Sequence, residues 1–289
     1  MPIAVTGASG HLGRLIVTDL LDHGVDPGEV VAGGRDLGRL ASLVERGVRT
    51  ARVDYADPAG MREAFTGADT LMLVSGNEFG QRVAQHRAAI EAAASVGVRR
   101  IVYTSAPGAD RTALLVAPEH KATEEILRAS GLAFTILRNN WYTENYVPAL
   151  EQARSTGVVI TSAGDGRVAS ATRADFAAAA SAALRTDGHD GVVYELAGDE
   201  PWTYDELAEA IAVVVGRDVV AHHVSTDEHL AVLRSAGLDD ATAGTLVAMD
   251  GDIRAGLLAG GSHDLARLIG RPTTPLIEAL RAATAAPGA

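Results

Sequence analysis

Residues 6–13 read TGASGHLG, with Gly7, Gly10 and Gly13 three residues apart. The apolar run IAV (3–5) precedes them and a helical stretch, HLGRLIVTDLLDHG (11–24), overlaps and follows. With 31 glycines in 289 residues, a triplet of this spacing arises by chance about one time in three, so its place in the chain decides its meaning. At a strand-to-helix junction Gly7 allows a tight turn, Gly10 lets backbone approach a pyrophosphate, and Gly13 lets the helix pack on the strand. The free N–H groups and partial positive charge of the helix N-terminus then favour a phosphate. The same triplet also serves a strand–helix turn that binds nothing.

Outward from this turn, short apolar runs alternate with longer helical stretches. VVAGG (30–34) leads to LGRLASLVERG (37–47), TARVD (50–54) to PAGMREAF (58–65), and TLMLVS (70–75) to QRVAQHRAAIEAAASVG (81–97). RIVYTS (100–105), HKATEEILRASG (120–131) and AFTILR (133–138) continue the pattern. Continuous aliphatic strands joined by helical crossovers predict an α/β fold, a doubly wound parallel sheet of the Rossmann type. The alternation loosens beyond residue 138. We expect a dinucleotide-binding domain over 1–155, joined by a returning strand near 192–198, and a smaller, discontinuous, mixed α/β C-terminal lobe over 156–289. GVVITS (157–162) and GVVYELAG (191–198) read as strands; helices are expected at 203–215, 225–237, 241–260 and 275–284. Thr203 and Glu206 have capping-box spacing for the first of these.

Hydrophobic residues make up 47% of the chain and charged residues 21%, the composition of a soluble globular protein. The formal charge of -12 and the lack of a Lys/Arg run argue against a nucleic-acid partner. With no cysteine there is no disulfide, thiolate nucleophile or cysteine-held zinc, and nine histidines without HExxH spacing predict no metal. MPIAVTGASG lacks the features of a signal peptide and no run of about 18 apolar residues occurs, so a cytoplasmic location off the membrane is expected.

The end of the second predicted strand carries a further clue. NAD sites place an acid here against the ribose hydroxyls, whereas this chain has AGGRD (32–36). Arg35 can fork onto a 2′-phosphate, which favours NADP(H); Asp36 and the reading of Arg35 as a solvated helix-start residue are the counterweights.

Together, TGASGHLG, GGR, GVRRIVYTSAP (97–107), ATEEILRASGLAFTILRNNWYTENY (122–146), ASATRADFAAAA (169–180) and LIGRPTT (268–274) give a near end-to-end likeness. The chain resembles the atypical short-chain dehydrogenase/reductases of the NmrA-like group, and within it is similar to the bacterial type 2 NAD(P)H:quinone oxidoreductases. That resemblance implies an NADPH-dependent, flavin-free reductase acting on a small quinone. It also implies cofactor contacts at Gly7, Ala8, Ser9, Gly10, His11 and Leu12, at Arg35, at Ser75, Gly76 and Asn77, at Asn139, Asn140 and Trp141, and at Thr172 and Arg173. His120, Lys121 and Tyr142 are the candidates for catalysis; Ser105, Trp141, Tyr142 and Tyr146 are the candidates to meet the substrate.

The chain departs from the wider superfamily at APEHK (117–121). Ser105 and Lys121 are present, but the tyrosine of a Tyr-xxx-Lys proton relay is replaced by Ala117. An aliphatic alkoxide is about as basic as hydroxide, with a conjugate acid near pKa ~15.7, against ~10 for a phenol. Those roughly six units are about 8 kcal/mol, too much to leave to unassisted water. A quinone instead gains a delocalised, phenolate-like anion that solvent can protonate later. Losing the tyrosine therefore disfavours alcohol dehydrogenation more than quinone reduction.

Orientation of two flat rings remains as the catalytic task. Aromatics are 4% of the chain, yet Trp141, Tyr142 and Tyr146 fall within six residues beside Asn139 and Asn140, after the sixth strand. This is either a ring platform or core between two lobes. His120 with Glu124, and Lys121 with Glu125, also suit surface pairs; Thr172 and Asp175 suit a helix cap; Ser105 suits a strand end. Rival functions are a dinucleotide-binding redox sensor without turnover and a reductase of enones or aldehydes. A serine hydrolase lacks its GxSxG elbow. Monomer and homodimer are both compatible with the sequence.

Overall fold

The computed structural model describes residues 1–285. Nine strands run in chain order among the described residues: β1 (Ile3–Val5), β2 (Val30–Gly34), β3 (Arg49–Arg52), β4 (Thr70–Leu73), β5 (Arg100–Ser105), β6 (Ala133–Asn139), β7 (Val158–Thr161), β8 (Val192–Leu196) and β9 (Val220–His223). Seven form one sheet in the order β3-β2-β1-β4-β5-β6-β8, with every pairing parallel. The order reverses between β1 and β4, which opens a crevice beyond their carboxyl ends.

Side chains alternate across the strands, so both sheet faces are apolar. Ile3, Val5, Met72, Val102 and Leu137 enter one core with helices His11–Asp22 and Arg173–Arg185. Ala4, Leu71, Leu73, Ile101, Tyr103 and Ile136 enter the opposite core with helices Pro58–Phe65, Arg82–Ser95 and Ala117–Ala129. These helices are the crossovers that a parallel sheet requires.

A separate core lies over the sheet's carboxyl edge, built on Leu150, Trp202, Tyr204, Leu207, Ile211 and Ile253. Helices Val147–Thr156, Tyr204–Val215, Asp240–Arg254 and Leu276–Ala285 supply it, with a parallel β7-β9 pair beside them. β8 joins the main sheet against β6, as GVVYELAG suggested. Three details differ from expectation. β9, a largely exposed strand, has no apolar alternation to betray it. Helix Val147–Thr156 starts straight after the aromatic stretch. The helix expected over 241–260 stops at Arg254, where Gly256 takes φ +75° and Leu257 N–H bonds back to Asp252 O. Thr203 and Glu206 form the full reciprocal capping box.

Candidate cofactor and active site

Gly7 has φ +64°, a turn conformation that disfavours any side chain, and its carbonyl accepts Gly10 N–H at 2.9 Å. Ala8 N–H donates to Gly33 O at 2.8 Å, which ties the turn to β2. A Cβ on Gly13 would overlap the Gly7 carbonyl, so the first crossover helix rests directly on the turn. Gly10 is the N-cap and lays no side chain over the first-turn N–H groups of His11, Leu12 and Gly13. Burial, then the cationic Arg173, Arg39 and Arg14, lowers the proton affinity of His11. Three arginines thus gather at this turn in a chain of net charge -12, one of them, Arg173, paired with Glu144 at 3.6 Å. Open N–H donors, a close backbone approach and three guanidinium groups fit a dinucleotide's phosphates.

Arg14 and Arg39 were not singled out in the sequence, although RDLGR (35–39) places a second arginine four residues beyond Arg35. Arg35 itself reaches Glu78 Oε1 at 2.7 Å. Asp36, the counterweight to an NADP(H) reading, caps the following turn by accepting Gly38 N–H at 2.9 Å. The glycines before Arg35 serve packing. A Cβ at Gly34 would collide with the Ser9 side chain, which binds the turn to the end of β2.

The segment after β4 lies against the glycine turn: a Cβ at Gly7 would meet Val74 at 3.3 Å, and Thr6 Oγ1 accepts Val74 N–H at 2.9 Å. Ser75 N–H donates to Thr104 Oγ1 at 2.8 Å, while Asn77 is exposed. Gly76 lies between them, held from the neighbouring helix. The sheet therefore brings residues 7–12 and 74–77 to one crevice.

The aromatic stretch divides on inspection. Tyr142 pairs with Ala171 in an isolated parallel bridge, meets Phe176 edge-on at 5.4 Å and carries the Arg173 guanidinium 4.8 Å above its ring. Burial raises the pKa of its phenol, opposed by Asn139 and Arg173. Arg173 also donates to Asn145 Oδ1 at 2.8 Å, and its N–H to Glu144 Oε1 at 2.8 Å. Thr172 caps the following helix by accepting Asp175 N–H at 3.0 Å; Asp175 turns to Arg271 and Thr274, so the cap is not a reciprocal box. Tyr142, Arg173 and His11 therefore meet at the mouth of the turn.

Two neighbours have other work. Tyr146 is 5% exposed and packs edge-on to Trp202 at 4.7 Å in the outer core, which takes it away from an open substrate wall. Asn140 is buried, its Nδ2 donating to Leu258 O and Gly260 O and its Oδ1 accepting Trp141 N–H, so its amide holds the 258–260 segment instead of meeting a cofactor. Asn139 differs: its buried Oδ1 has no partner within the protein. Trp141 is partly buried against the outer core.

The relay positions are spent on structure. Ser105 is buried and its hydroxyl donates to Glu124 Oε1 at 2.6 Å. Arg138, 3% exposed, grips the same carboxylate with two bonds of 2.9 and 2.7 Å and reaches Asp110 and Glu195 with NH1. Glu195 in turn accepts Gly108 N–H at 3.0 Å, pinning the loop that follows β5 to the strand edges. Ala117 is 2% exposed and sits in the outer core with Leu114. His120 is 6% exposed, its Nδ1 2.7 Å from Tyr103 OH; burial, then Arg82 and His86, pushes its pKa down to about 3. Neither expected surface pair forms: Glu124 serves Ser105 and Arg138, and Lys121 is exposed without an ion pair among the described residues. His120 is thus a neutral buried ring, and Lys121 has no relay partner to act through.

A cavity of about 510 Å³ lies elsewhere, between helix Tyr204–Val215 and the start of helix Leu276–Ala285, lined by Glu200, Trp202, Glu209, Pro275 and Ile277 among others. No residue of the glycine turn borders it.

Known proteins share this fold. Over 278 residues the chain is 42% identical to quinone oxidoreductase 2 of Escherichia coli (strain K12), covering 96% of this chain and 97% of that protein. The crystal structure of the E. coli NADPH-dependent quinone oxidoreductase in complex with NADPH superposes with a TM-score of 0.92, covering 96% of this chain and 98% of that one. The Citrobacter triphenylmethane reductase complexed with NADP(H) superposes with a TM-score of 0.93 at 35% identity, covering 97% and 99%. A profile of the NAD(P)H-binding family matches residues 7–187, which begins on the first glycine of the turn, and the chain belongs to that family.

Proposed function

We propose that this protein is an NADPH-dependent, flavin-free quinone reductase. The observation that carries the reading is the absence of a side-chain acid where the superfamily keeps its relay: position 117 is a buried alanine, the Ser105 hydroxyl is given to Glu124, and Lys121 faces solvent. Such a site suits an acceptor whose reduced anion tolerates late protonation by water, and a quinone is that acceptor. The reduced nicotinamide, when bound, supplies a hydride.

The chain's own residues bind and orient. The Gly7–Leu12 turn and Arg173 would hold the pyrophosphate, Arg35 the 2′-phosphate, and the unpartnered Asn139 Oδ1 the carboxamide N–H₂ of the nicotinamide. Tyr142 and Trp141 would wall the ring space, with Tyr142 serving as an orienting ring. The high similarity to quinone oxidoreductase 2 over nearly the full chain supports the substrate class. On this reading the enzyme is cytoplasmic, works on a small molecule as monomer or homodimer, and has no part in nucleic-acid or membrane binding; no helix of the described residues is long and apolar enough to cross a membrane.

Mixing the purified protein with NADPH and benzoquinone or a naphthoquinone, and following the nicotinamide absorbance near 340 nm against the uncatalysed rate, tests the reading. Saturable oxidation supports it. NADPH binding without oxidation across several quinones assigns the chain to a dinucleotide-binding sensor.

A further inference from the structure

His86 has no place in the scheme above, yet it is fully buried on helix Arg82–Ser95 with its ring turned to the Gly76 backbone. Its Nε2 lies 3.0 Å from Gly76 N. An amide N–H only donates, so Nε2 is unprotonated and the ring proton sits on Nδ1, which donates to Thr123 Oγ1 at 3.1 Å. The Thr123 hydroxyl in turn donates to Glu119 O at 2.9 Å, so every member of the chain has one consistent role. Tyr55 and Tyr103 fix the ring plane edge-on, at 5.8 and 5.4 Å. On the other side of the same residue, Arg82 Nε donates to Gly76 O at 2.7 Å, and Glu119 holds both Arg82 NH1 and Gly80 N–H.

We propose that His86 is a positioning residue for the dinucleotide: with Arg82 it holds both backbone polar groups of Gly76, and so sets the crevice wall that faces the glycine turn. The inference rests on the cofactor lying in that crevice. Val74 links the wall to the turn: its N–H donates to Thr6 Oγ1, and its side chain borders the space that a Cβ on Gly7 would enter, so a shift at Gly76 moves the surface that the adenosine-pyrophosphate half would meet. Burial and the neighbouring Arg82 push the His86 pKa down to about 3, which keeps the ring a neutral acceptor at pH 7. Without an acceptor, Gly76 N–H must find water, and the wall loosens.

The test is NADPH affinity, read by titration of full-length protein at pH 7 without substrate. His86→Leu is expected to raise the NADPH Kd about tenfold, while His86→Gln, whose amide oxygen can accept from Gly76, stays within about threefold of wild type. In steady state the loss belongs in KM for NADPH and not in kcat at saturation, a split that general destabilisation does not produce. If His86→Leu fails to fold, Thr123→Val carries the test, because it removes the acceptor that orients the ring; a Kd raised about fivefold or more supports the assignment. An unchanged Kd in a folded His86→Leu or Thr123→Val protein, or a glutamine variant as weak as the leucine one, overturns it. Because Kd is read without turnover, a wild type that binds NADPH and reduces no quinone removes the quinone reading and leaves this one standing.

Discussion

The Arg35 guanidinium is paired with Glu78 Oε1 at 2.7 Å, across the gap between the end of β2 and the segment after β4. The residue we propose for a 2′-phosphate is thus already engaged by a carboxylate, and both side chains are exposed. Exposed pairs contribute only about 0.2–1 kcal/mol, so a dianionic phosphate outcompetes Glu78 for the fork. We expect Arg35→Ala to raise the NADPH Kd about 10- to 100-fold and the NADH Kd less than about twofold. Glu78→Gln, which frees the guanidinium, tightens NADPH about two- to fivefold. Isothermal titration with both cofactors checks this, and an equal loss for NADH and NADPH in Arg35→Ala rules the role out.

Gly13 is held by contact and not by propensity. Alanine favours a helix over glycine by about 1 kcal/mol, but its methyl would overlap the Gly7 carbonyl, and overpacking costs about 1–3 kcal/mol. The turn then moves to make space. Gly13→Ala is expected to lower the urea midpoint and weaken NADPH together, and a stabilised variant with intact affinity contradicts the packing account.

The Arg138–Glu124 pair is buried, 3% and 4% exposed, and carries Ser105 and the loop after β5 with it. Removing one partner leaves an uncompensated charge, at about 3–5 kcal/mol. Arg138→Met should therefore be severely destabilised. Adding Glu124→Gln should recover at least about 1 kcal/mol relative to the sum of the single changes, as measured by a chemical-denaturation cycle. Strict additivity would show that the two do not act on each other.

Stability should fall with acid in a defined window. His86 and His120 both have folded pKa values of about 3, against about 6.5 when unfolded. A depressed histidine pKa means that the unfolded chain binds the extra protons. The contribution of each ring is thus fully present above pH ~6.5 and is lost as the pH falls toward 3. At pH 5 the loss is about 2 kcal/mol per ring. Urea denaturation from pH 7.5 to 5 should show this slope, reduced by about half in His86→Gln. A flat profile in the wild type would mean that neither ring is held neutral.

Much of the sheet was legible because each early strand is a short aliphatic run that alternates with its crossover helix. β9 was not: VAHH is largely exposed and takes its strand form from pairing with β7, more than 50 residues earlier in the chain. At the site, Gly7 and Gly13 could be read because turn geometry and close packing are local demands on residue type. The duties of Asn140, Ser105 and Tyr146 could not, since their partners or neighbours include Leu258, Glu124 and Trp202, and nothing in the short stretches around them names those. No local signal marked His86 either; its meaning lies in the Gly76 backbone N–H, which any residue but proline would present.

By itself the sequence determined a parallel sheet whose first strand runs through a glycine turn into a helix N-terminus, because strand periodicity, glycine backbone freedom and helix starts are properties of consecutive residues. Only the tertiary structure decided which polar side chains remain to meet a ligand. Buried hydroxyls, amides and guanidinium groups must find partners within the fold, and those partners come from remote strands and loops. That requirement spent Ser105, His120 and Asn140 on the scaffold and left the oxygen of Asn139 free at the sheet's edge.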